Sequence, residues 1–422
     1  MLLKVRPSTV EGRIVASPSK SYTHRALVLA SLAHGTSVLK GPLLSGDTLA
    51  TLRAIEAFGA KVCHKGRDLE VEGGPLRCPE DVIDAANSGT TIRIVAGIAS
   101  LLPCYTVLTG DASVRRRPMQ PLIDALSQLG VECRSTRGNG LAPLIVRGPN
   151  TGRVAHIRGD ISSQFISSLL ISSPLKKVDT DIIITSELRS RPYIDITIEM
   201  MSRFGAEAKT TENGFHIIGG QTYRPDHYQV PGDYSSAAFP LTAGALIGKV
   251  QVDNLDPRDA QGDRMILDIL SSFGATVTQR GGSVTCSSGP LQGADVDLGQ
   301  APDLFPIVAV LATQAKGRSR LFNAEHVRLK ESDRISATVT FLKAMGAEME
   351  ETRDGCIING PSKLKGTHVM AHSDHRILMA AAVAALVADG ETTVSDGDCF
   401  KISYPGFVDD MRSIGADLEL VP

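Results

Sequence analysis

The segment AFGAKV, residues 57–62, is the first of six short stretches that share one pattern. The others are QLGVEC at 128–133, RFGAEA at 203–208, SFGATV at 272–277, AMGAEM at 344–349 and SIGADL at 413–418. Their glycines lie 71, 75, 69, 72 and 69 residues apart. A fixed period of this length indicates a repeat architecture, so the chain is predicted to contain six copies of one unit.

The residues around each glycine predict the local structure of the unit. TLRAIEAF precedes Gly59, and its apolar residues recur at the three-and-four spacing of a helix face. A glycine directly after such a helix suits the left-handed conformation of a C-cap. The alternating residues that follow indicate a strand. Each copy is therefore predicted to contain an amphipathic helix, a glycine cap and a strand.

Six strongly apolar stretches recur with nearly the same period, and a polar cluster opens each of them. The clusters are SKSYTHR at 19–25, NSGTTIR at 87–93, SSQ at 162–164, GDYSSA at 232–237, APD at 301–303 and SDHR at 373–376. A helix that is apolar on all sides must be buried to remove that surface from water. Six buried helices with polar N-terminal ends are therefore predicted.

The polar ends are predicted to bind anions. Burying an unpaired Lys20, Arg25, Arg93 or Arg376 would be costly, so these ends should open onto solvent or onto a ligand, and the ligands should neutralise them. The free N–H groups and the dipole at a helix N-terminus also favour anions. The alternative is that Ser, Thr, Asn and Asp here are ordinary N-caps, but capping does not explain the recurring Lys and Arg.

Loops between the buried and amphipathic helices carry further charge. They are VRRRPMQP at 114–121, LRSRPYID at 188–195, HVRLKESDR at 326–334 and CFKISYPGF at 399–407. Such charge runs are often solvated surface. Their equivalent positions in the repeats nevertheless predict that they lie near the helix ends.

Length and charge narrow the class of protein. The 422 residues are enough for two to three domains, and six repeats divide naturally into two groups of three. A net charge of −2 argues against nucleic-acid binding. The longest apolar run, ILMAAAVAALVA at 377–388, is too short to span a bilayer, and MLLKVRPSTV does not resemble a signal peptide. We therefore expect a cytoplasmic protein without membrane or nucleic-acid partners.

The seven cysteines are scattered, without a C-x-x-C pair or a histidine at metal-ligand spacing. We therefore expect neither a disulfide framework nor a metal site. The phosphate-binding and dinucleotide-binding glycine motifs are also missing, so no cofactor is expected.

Nine separated motifs resemble those of the 5-enolpyruvylshikimate-3-phosphate synthase family. They are SKSYTHR at 19–25, NSGT at 87–90 with Arg93, RRP at 116–118, SSQ at 162–164, SRPYIDIT at 190–197, Asp303, RLKESDR at 328–334, DHR at 374–376 and Lys401. The resemblance implies transfer of the enolpyruvyl group of phosphoenolpyruvate to the 5-hydroxyl of shikimate 3-phosphate, with release of phosphate. This is a step of chorismate and aromatic amino acid biosynthesis.

The resemblance also implies an α/β fold, a two-lobed inside-out barrel with three βαβαββ units around buried parallel helices in each lobe. One lobe would comprise 18–230 and the other 1–17 with 231–422, with hinges at 16–18 and 230–232. The active site would lie in the cleft between the lobes. We expect a monomer.

Site residues follow from the resemblance, position by position. Shikimate 3-phosphate would contact Lys20, Ser21, Arg25, Ser162, Ser163, Gln164, Ser190, Tyr193, Asp303, His326 and Lys330. Phosphoenolpyruvate would contact Lys20, Asn87, Gly89, Arg117, Gln164, Arg334, Arg376 and Lys401. Glu331 resembles the family's proton donor and Asp303 its base, and Lys20 could also carry protons. Two carboxylates in different environments suit such paired proton transfers.

Two other functions stay open at this stage. One is the related transferase that acts on UDP-N-acetylglucosamine, whose mobile loop carries a catalytic cysteine. The corresponding loop here, TGDASVRRRPM at 109–119, has none. The other is a non-catalytic repeat protein that binds phosphorylated ligands. The presence of both Asp303 and Glu331 argues against it.

Overall fold

A computed structural model describes residues 1–422 as twelve α-helices and twenty-four strands, with short 3-10 segments between them. The helices are α1 Lys20–Leu32, α2 Gly46–Ala57, α3 Gly89–Ala99, α4 Gln120–Gln128, α5 Ser163–Ser172, α6 Arg191–Arg203, α7 Tyr234–Ile247, α8 Ile266–Ser272, α9 Phe305–Gln314, α10 Arg334–Ala344, α11 His375–Leu386 and α12 Phe407–Ser413. The strands of the first half are β1 Leu2–Arg6, β2 Val10–Val15, β3 Gly35–Lys40, β4 Lys61–Lys65, β5 Asp68–Gly73, β6 Ile83–Asp84, β7 Thr106–Thr109, β8 Glu132–Ser135, β9 Leu144–Arg147, β10 Val154–Ile157, β11 Thr180–Ile184, β12 Lys209–Thr211 and β13 Gly214–Ile217. The remaining strands are β14 His227–Gln229, β15 Gly248–Asp253, β16 Thr276–Arg280, β17 Ser283–Ser287, β18 Asp295–Asp297, β19 Gly317–Phe322, β20 Glu348–Thr352, β21 Gly355–Gly360, β22 His368–Val369, β23 Thr392–Val394 and β24 Asp417–Val421.

The strands form six four-stranded sheets that share one topology. In the sheet β6-β7-β9-β8, the first pair is parallel and the other two pairs are antiparallel. The sheets β10-β11-β13-β12 and β18-β19-β21-β20 repeat this arrangement strand for strand. The order β6, α3, β7, α4, β8, β9 is a βαβαββ unit. The predicted sixfold repeat and the fold class are confirmed.

Three repeats obtain one strand from a distant part of the chain. The first repeat is opened by β14, which pairs with β3 in parallel. The fourth is opened by β2, whose residues Val10–Val15 pair with Gly248–Asp253 of β15. The sixth is closed by β1, which lies between β23 and β24. These exchanges explain why local sequence patterns alone do not delimit all six units.

The chain divides into two compact units. The continuous unit comprises Pro18–Val230, and the split unit comprises Met1–Ser17 with Pro231–Pro422. The continuous unit contains α1 to α6 and three of the sheets, and the split unit contains α7 to α12 and the other three. Each unit therefore holds three repeats.

Alternate helices are buried over most of their length, as their composition predicts. In the split unit, every residue of α11 from His375 to Leu386 is buried, and α7, α9 and α11 pack on one another. In the continuous unit, α3 packs on α5, and the side chains of Ile92 to Ala99 are all buried. Burying one large aliphatic side chain contributes roughly 1.5–3 kcal/mol, so these helices form the cores.

The six motif glycines cap the amphipathic helices. Their φ angles run from +82° at Gly130 to +104° at Gly59, which is the left-handed region expected of a C-cap. A strand follows each glycine within a few residues, as β4 follows Gly59. The predicted sequence of helix, glycine and strand is confirmed in every repeat. No helix combines the length and apolar character needed to cross a membrane.

One expectation about the cysteines is wrong. Cys78 and Cys104 form a disulfide, with their Cα atoms 6.1 Å apart. Cys78 lies in the loop after β5 and Cys104 in the loop after α3, so packing of the first two repeats brings them together. Sequence spacing does not reveal such a pairing. Cys63, Cys133, Cys286, Cys356 and Cys399 are free thiols.

Candidate active site

Lys20 is the first residue of α1, and an ion pair fixes its ammonium group. Its Nζ lies 2.9 Å from Oδ2 of Asp47, and the side chains of both residues are largely buried. Asp47 lies in the first turn of α2, where a carboxylate also interacts favourably with the helix dipole. Sequence reasoning missed Asp47. Its only signal was an acidic residue directly after the small residues Ser45 and Gly46 at the start of a helix.

A chain of buried hydroxyl groups links α1, α2 and α3 behind Lys20. His24 Nδ1 lies 2.7 Å from Thr51 Oγ1, which lies 2.6 Å from Thr91 Oγ1. Ser88 Oγ then accepts from the Thr91 hydroxyl at 2.7 Å. Burial, with smaller contributions from Lys20 and Arg25, lowers the pKa of His24 well below its usual value. His24 is therefore neutral and fixes the relative positions of three helix ends.

Arg25 is buried, so it does not open onto solvent, and its contact with a ligand stays a prediction. Its guanidinium donates to Thr197 Oγ1 at 2.7 Å, to the Ser21 carbonyl at 2.9 Å and to the Tyr193 carbonyl at 2.8 Å. A fourth bond reaches Ser167 Oγ at 3.3 Å. These acceptors are all neutral, and burial lowers the pKa of Arg25 to about 10. Hydroxyl and carbonyl groups of α1, α5 and α6 thus solvate the charge within the protein.

Two guanidinium groups lie against the N-terminus of α3. A Cβ atom on Gly89 would be 2.5 Å from Nη1 of Arg117 and 3.4 Å from Nη1 of Arg93. The absence of a side chain at Gly89 therefore permits the close approach of Arg117. Arg93 also donates to Gln164 Oε1 at 2.7 Å, and Gln164 Nε2 donates to Thr90 at 2.6 Å. The predicted residues of α3 and α5 are thus joined in one network.

The arginine run after β7 divides into exposed and buried members. Arg115 and Arg116 are exposed, whereas Arg117 is buried and donates to Ser113 Oγ at 2.9 Å. Asn87 Nδ2 donates to Asp111 Oδ2 at 2.8 Å and so attaches this loop to the start of α3. Of the three arginines, Arg117 is the one that faces the helix end.

Ser162 and Ser190 occupy the N-cap positions of α5 and α6. Ser162 Oγ accepts from the Gln164 backbone N–H at 3.3 Å, and Ser163 is buried beside it. Ser190 has φ +54°, a left-handed conformation that is uncommon for a residue other than glycine. Backbone strain of this kind clusters at ligand sites. Tyr193 follows in the first turn of α6 and holds Arg25 through its carbonyl.

Arg334 is the centre of the predicted residues in the split unit. It is the first residue of α10, is 1% exposed and contacts three carboxylates. Its nitrogens lie 2.9 Å from Asp374 Oδ2, 2.7 Å from Asp303 Oδ1 and 2.6 Å from Glu331 Oε2. These carboxylates raise the pKa of Arg334 well above its ordinary value in spite of its burial. The guanidinium is permanently charged.

Asp303 is surrounded by three cations. Besides Arg334, its Oδ2 lies 3.2 Å from Arg376 Nη2 and its Oδ1 lies 3.6 Å from Lys330 Nζ. Asp303 raises the pKa of Arg376 against the effect of burial. The surroundings therefore favour an ionised Asp303.

The charges of this cluster balance within the protein. Three cations, Arg334, Arg376 and Lys330, are paired with the carboxylates of Asp303, Glu331 and Asp374. The expectation that ligands neutralise these cations is therefore wrong for the split unit. Sequence reasoning did not include Asp374 among the site residues, although it caps α11 by accepting from the Arg376 N–H at 2.9 Å.

The two remaining predicted residues lie in 3-10 segments. His326 belongs to Glu325–Leu329 and is buried, while Lys401 belongs to Cys399–Ile402 and is exposed. His375, next to Arg376, is also buried and was not predicted. No group of three or more His, Cys, Asp or Glu side chains has the geometry of a metal site.

Comparison with known proteins shows the family to which this chain belongs. The profile of EPSP synthase (3-phosphoshikimate 1-carboxyvinyltransferase) matches residues 5–411. The chain belongs to the EPSP synthase family. A 3-phosphoshikimate 1-carboxyvinyltransferase of Methanocorpusculum labreanum is 54% identical over 421 residues, which cover 99% of each chain. The enzyme of that name from Methanocella arvoryzae is 50% identical over 425 residues, which cover 100% of each chain.

Solved structures agree with this family. An EPSP synthase from Acinetobacter baumannii superposes with a TM-score of 0.83 over 100% of both chains, at 27% identity. The enolpyruvyl transferase NikO from Streptomyces tendae has a TM-score of 0.79 at 17% identity, covering 99% of this chain and 98% of its own. The second likeness shows that the EPSP synthase fold is shared with an enzyme of another name.

Proposed function

We propose that this chain transfers the enolpyruvyl group of phosphoenolpyruvate to the 5-hydroxyl of shikimate 3-phosphate and releases inorganic phosphate. The observation that supports this most strongly is the cluster of Arg334 with Asp303 and Glu331 in a member of the EPSP synthase family. It places two carboxylates with different surroundings beside one buried guanidinium. This is the arrangement that paired proton transfers require.

The residues of the continuous unit are proposed to bind shikimate 3-phosphate. Ser162, Ser163 and Ser190 offer hydroxyl and backbone N–H groups at the starts of α5 and α6, where helix dipoles favour a phosphate. Arg25 and Ser21 are proposed to hold the carboxylate. Because Arg25 now donates to neutral acceptors, its charge is available to an anion that approaches α1.

Phosphoenolpyruvate is proposed to contact basic residues of both units. Arg117 lies at the N-terminus of α3 beside Gly89, with Asn87 and Gln164 nearby. Lys20, Arg334, Arg376 and Lys401 complete the predicted set. The proposal requires both sets of residues to act on the same substrate molecule.

The chemistry proceeds by addition and then elimination. In the addition, the 5-hydroxyl oxygen bonds to C2 of phosphoenolpyruvate, a base removes the hydroxyl proton, and an acid protonates C3. In the elimination, the bond from C2 to the phosphate oxygen breaks and C3 loses a proton, which gives the enol ether and phosphate. We assign the base to Asp303 and the acid to Glu331, with Lys20 as a further proton carrier.

The ion pairs suggest how Glu331 acquires its proton. Arg334 Nη2 lies 2.6 Å from Glu331 Oε2. A substrate carboxylate that takes over donors of Arg334 weakens this pair and adds a negative charge beside Glu331. Both changes favour the protonated form of a carboxyl group. Binding of phosphoenolpyruvate would thereby convert Glu331 into an acid.

A direct assay tests the reaction. Shikimate 3-phosphate and phosphoenolpyruvate are mixed with the protein, and phosphate release and the enol ether are followed by NMR. UDP-N-acetylglucosamine replaces shikimate 3-phosphate in a parallel sample. Turnover with the sugar nucleotide alone would support the related transferase, and binding of both substrates without turnover would support a phospho-ligand binding protein. We further propose a cytoplasmic monomer, which gel filtration with light scattering tests in part.

A further inference from the structure

The motif RLKESDR at 328–334 begins with Arg328, which is not among the predicted site residues. Lys330, Glu331 and Arg334 of the same motif all belong to the candidate site. The side chain of Arg328 is 22% exposed, so the protein covers most of it. The contacts of its guanidinium show which parts of the split unit it joins.

One side of the guanidinium holds the start of α10. Its Nη1 donates to Asp333 Oδ2 at 2.7 Å and to Ser336 Oγ at 3.1 Å. Asp333 is the N-cap of α10, and its other oxygen, Oδ1, accepts from the Ser336 backbone N–H at 3.0 Å. The contact between Arg328 and Asp333 joins the two ends of the segment 328–333 and closes it into a short loop.

The other side of the guanidinium is attached to the β20–β21 hairpin. Nε donates to the Arg353 carbonyl at 2.9 Å, and Nη2 donates to the Thr352 carbonyl at 2.8 Å. Nη2 also lies 2.7 Å from Glu351 Oε1. Thr352 ends β20 and pairs with Gly355 of β21, so these acceptors belong to a hydrogen-bonded sheet. The loop is thus fastened to a rigid element.

These contacts occupy the donors of Arg328. A guanidinium has five N–H groups, and this one contacts five acceptors. A substrate anion would have to displace one of them. The contacts therefore favour a role in placing other residues over a role in binding substrate.

The closed loop carries three groups of the candidate site. Lys330 and Glu331 lie inside it, and Arg334 follows it directly. Within the loop, Ser332 Oγ donates to Asp374 Oδ2 at 2.9 Å, a contact that belongs to the site itself. Arg328 supplies the attachment of the loop to the sheet.

We propose that Arg328 is a positioning residue for the enolpyruvyl transfer and that it holds Lys330, Glu331 and Arg334 in place through Asp333. Its effect on turnover rests on the proposed function, whereas its hold on the loop does not. A misplacement of about 1 Å can reduce the rate of an enzyme about 100-fold. Arg328 thus controls the rate without touching either substrate.

Hydrogen–deuterium exchange of the full chain without substrates tests the hold on the loop. In Arg328→Gln we expect peptides covering 329–335 to exchange about tenfold faster or more, since charged hydrogen bonds are lost, and peptides from α7 to be unchanged. Arg353→Gln, which alters an 85% exposed arginine on the same hairpin, is the matched control. Unchanged exchange over 329–335 in Arg328→Gln would overturn the proposal.

Turnover of shikimate 3-phosphate and phosphoenolpyruvate tests the effect on the reaction. Arg328→Gln should lower kcat roughly 10- to 100-fold, whereas Arg353→Gln should not. In a Glu331→Gln background, Arg328→Gln should cost a clearly smaller factor, because residues that act as a unit are not additive. The same loss in both backgrounds would indicate general structural damage and would also overturn the proposal.

Asp333→Asn provides a second route if Arg328→Gln does not fold. This substitution keeps an oxygen for the Ser336 N–H but removes the ion pair, so the same faster exchange and lower kcat are expected. An unaltered chain without turnover would instead contradict the proposed function, and the exchange measurement would still decide whether Arg328 holds the loop.

Discussion

Glu331 and Arg334 are three residues apart, at the start of α10, and form the shortest contact of the carboxylate cluster, with Oε2 and Nη2 separated by 2.6 Å. The side chains are 9% and 1% exposed, so water screens the pair only weakly. The residue proposed as the acid thus contacts a residue proposed to bind the substrate. With the proposed roles of these two residues, substrate binding and proton supply would be coupled through this one contact.

Replacing the paired carboxylates should reduce turnover selectively. Glu331→Gln and Asp303→Asn keep the shape of each side chain but remove its proton chemistry, which is worth roughly 10²- to 10⁴-fold. We expect turnover to fall by about this factor while shikimate 3-phosphate binds with little change. Phosphate release and calorimetry measure the two quantities. Glu325→Gln, an exposed residue paired with Arg353, is the control. Near-normal turnover in either variant would show that the replaced residue is not the proposed acid or base.

Gly89→Ala should affect phosphoenolpyruvate more than shikimate 3-phosphate. The new Cβ would lie 2.5 Å from Nη1 of Arg117, so the guanidinium must move. Loss of one charged hydrogen bond costs roughly 1.5–3 kcal/mol, and we expect the KM for phosphoenolpyruvate to rise about tenfold or more. Gly282→Ala is the control, because its Cβ would approach no atom closer than 3.9 Å. Equal changes in both KM values would contradict this account of Arg117.

His24 should make stability fall in mild acid. The folded chain keeps it neutral, with a pKa well below 6.5, because burial disfavours the imidazolium. The unfolded chain takes up a proton below about pH 6.5, so lowering the pH through that value favours unfolding by up to about 1.4 kcal/mol per pH unit.

Urea unfolding at several pH values between 7.5 and 5 measures this effect. His24→Gln should show a shallower acid dependence than the unaltered chain, whereas the exposed His34→Gln should not. An unchanged slope in a folded His24→Gln protein would show that His24 is not responsible.

The disulfide should stabilise the continuous unit. Cys78 and Cys104 are 26 residues apart, and closing a loop of this size is worth about 2–4 kcal/mol. Cys78→Ser should lower the free energy of unfolding by that amount. Mass spectrometry after alkylation without reductant should find five free thiols. Cys63→Ser, an exposed free thiol, is the control, and seven alkylated cysteines would show that the bridge does not form.

The repeated elements could be predicted because their signals are local. A glycine after an amphipathic stretch needs nothing beyond its own helix to be a cap, and Gly59 and its five equivalents all adopt positive φ. The apolar composition of α11 likewise determines that it is buried. These patterns sufficed for the number of repeats, whereas the fold class was predicted from the family resemblance.

Partner choice among charged groups was not predictable in the same way. Asp47 pairs with Lys20 across 27 residues, and Arg334 pairs with Asp374 across 40. Each pair joins the starts of two successive helices with at least one strand between them, so only packing decides the pair. The acceptors of Arg25 were not predictable either, because Thr197 and the Tyr193 carbonyl lie about 170 residues away along the chain. The family resemblance indicated most of the candidate site residues, but it did not indicate the ion pairs and hydrogen bonds that these residues make with one another.

The strand exchange of the split unit has a consequence for synthesis on the ribosome. Residues Leu2–Arg6 pair with Asp417–Val421, so one of the first strands to be made adds to one of the last. At 5–20 residues per second, the nascent N-terminus stays without that partner for about 20 to 80 s. Pro18–Val230 contains every strand of its own three sheets and can fold during this interval. The continuous unit can therefore be fully folded before synthesis of the split unit is complete.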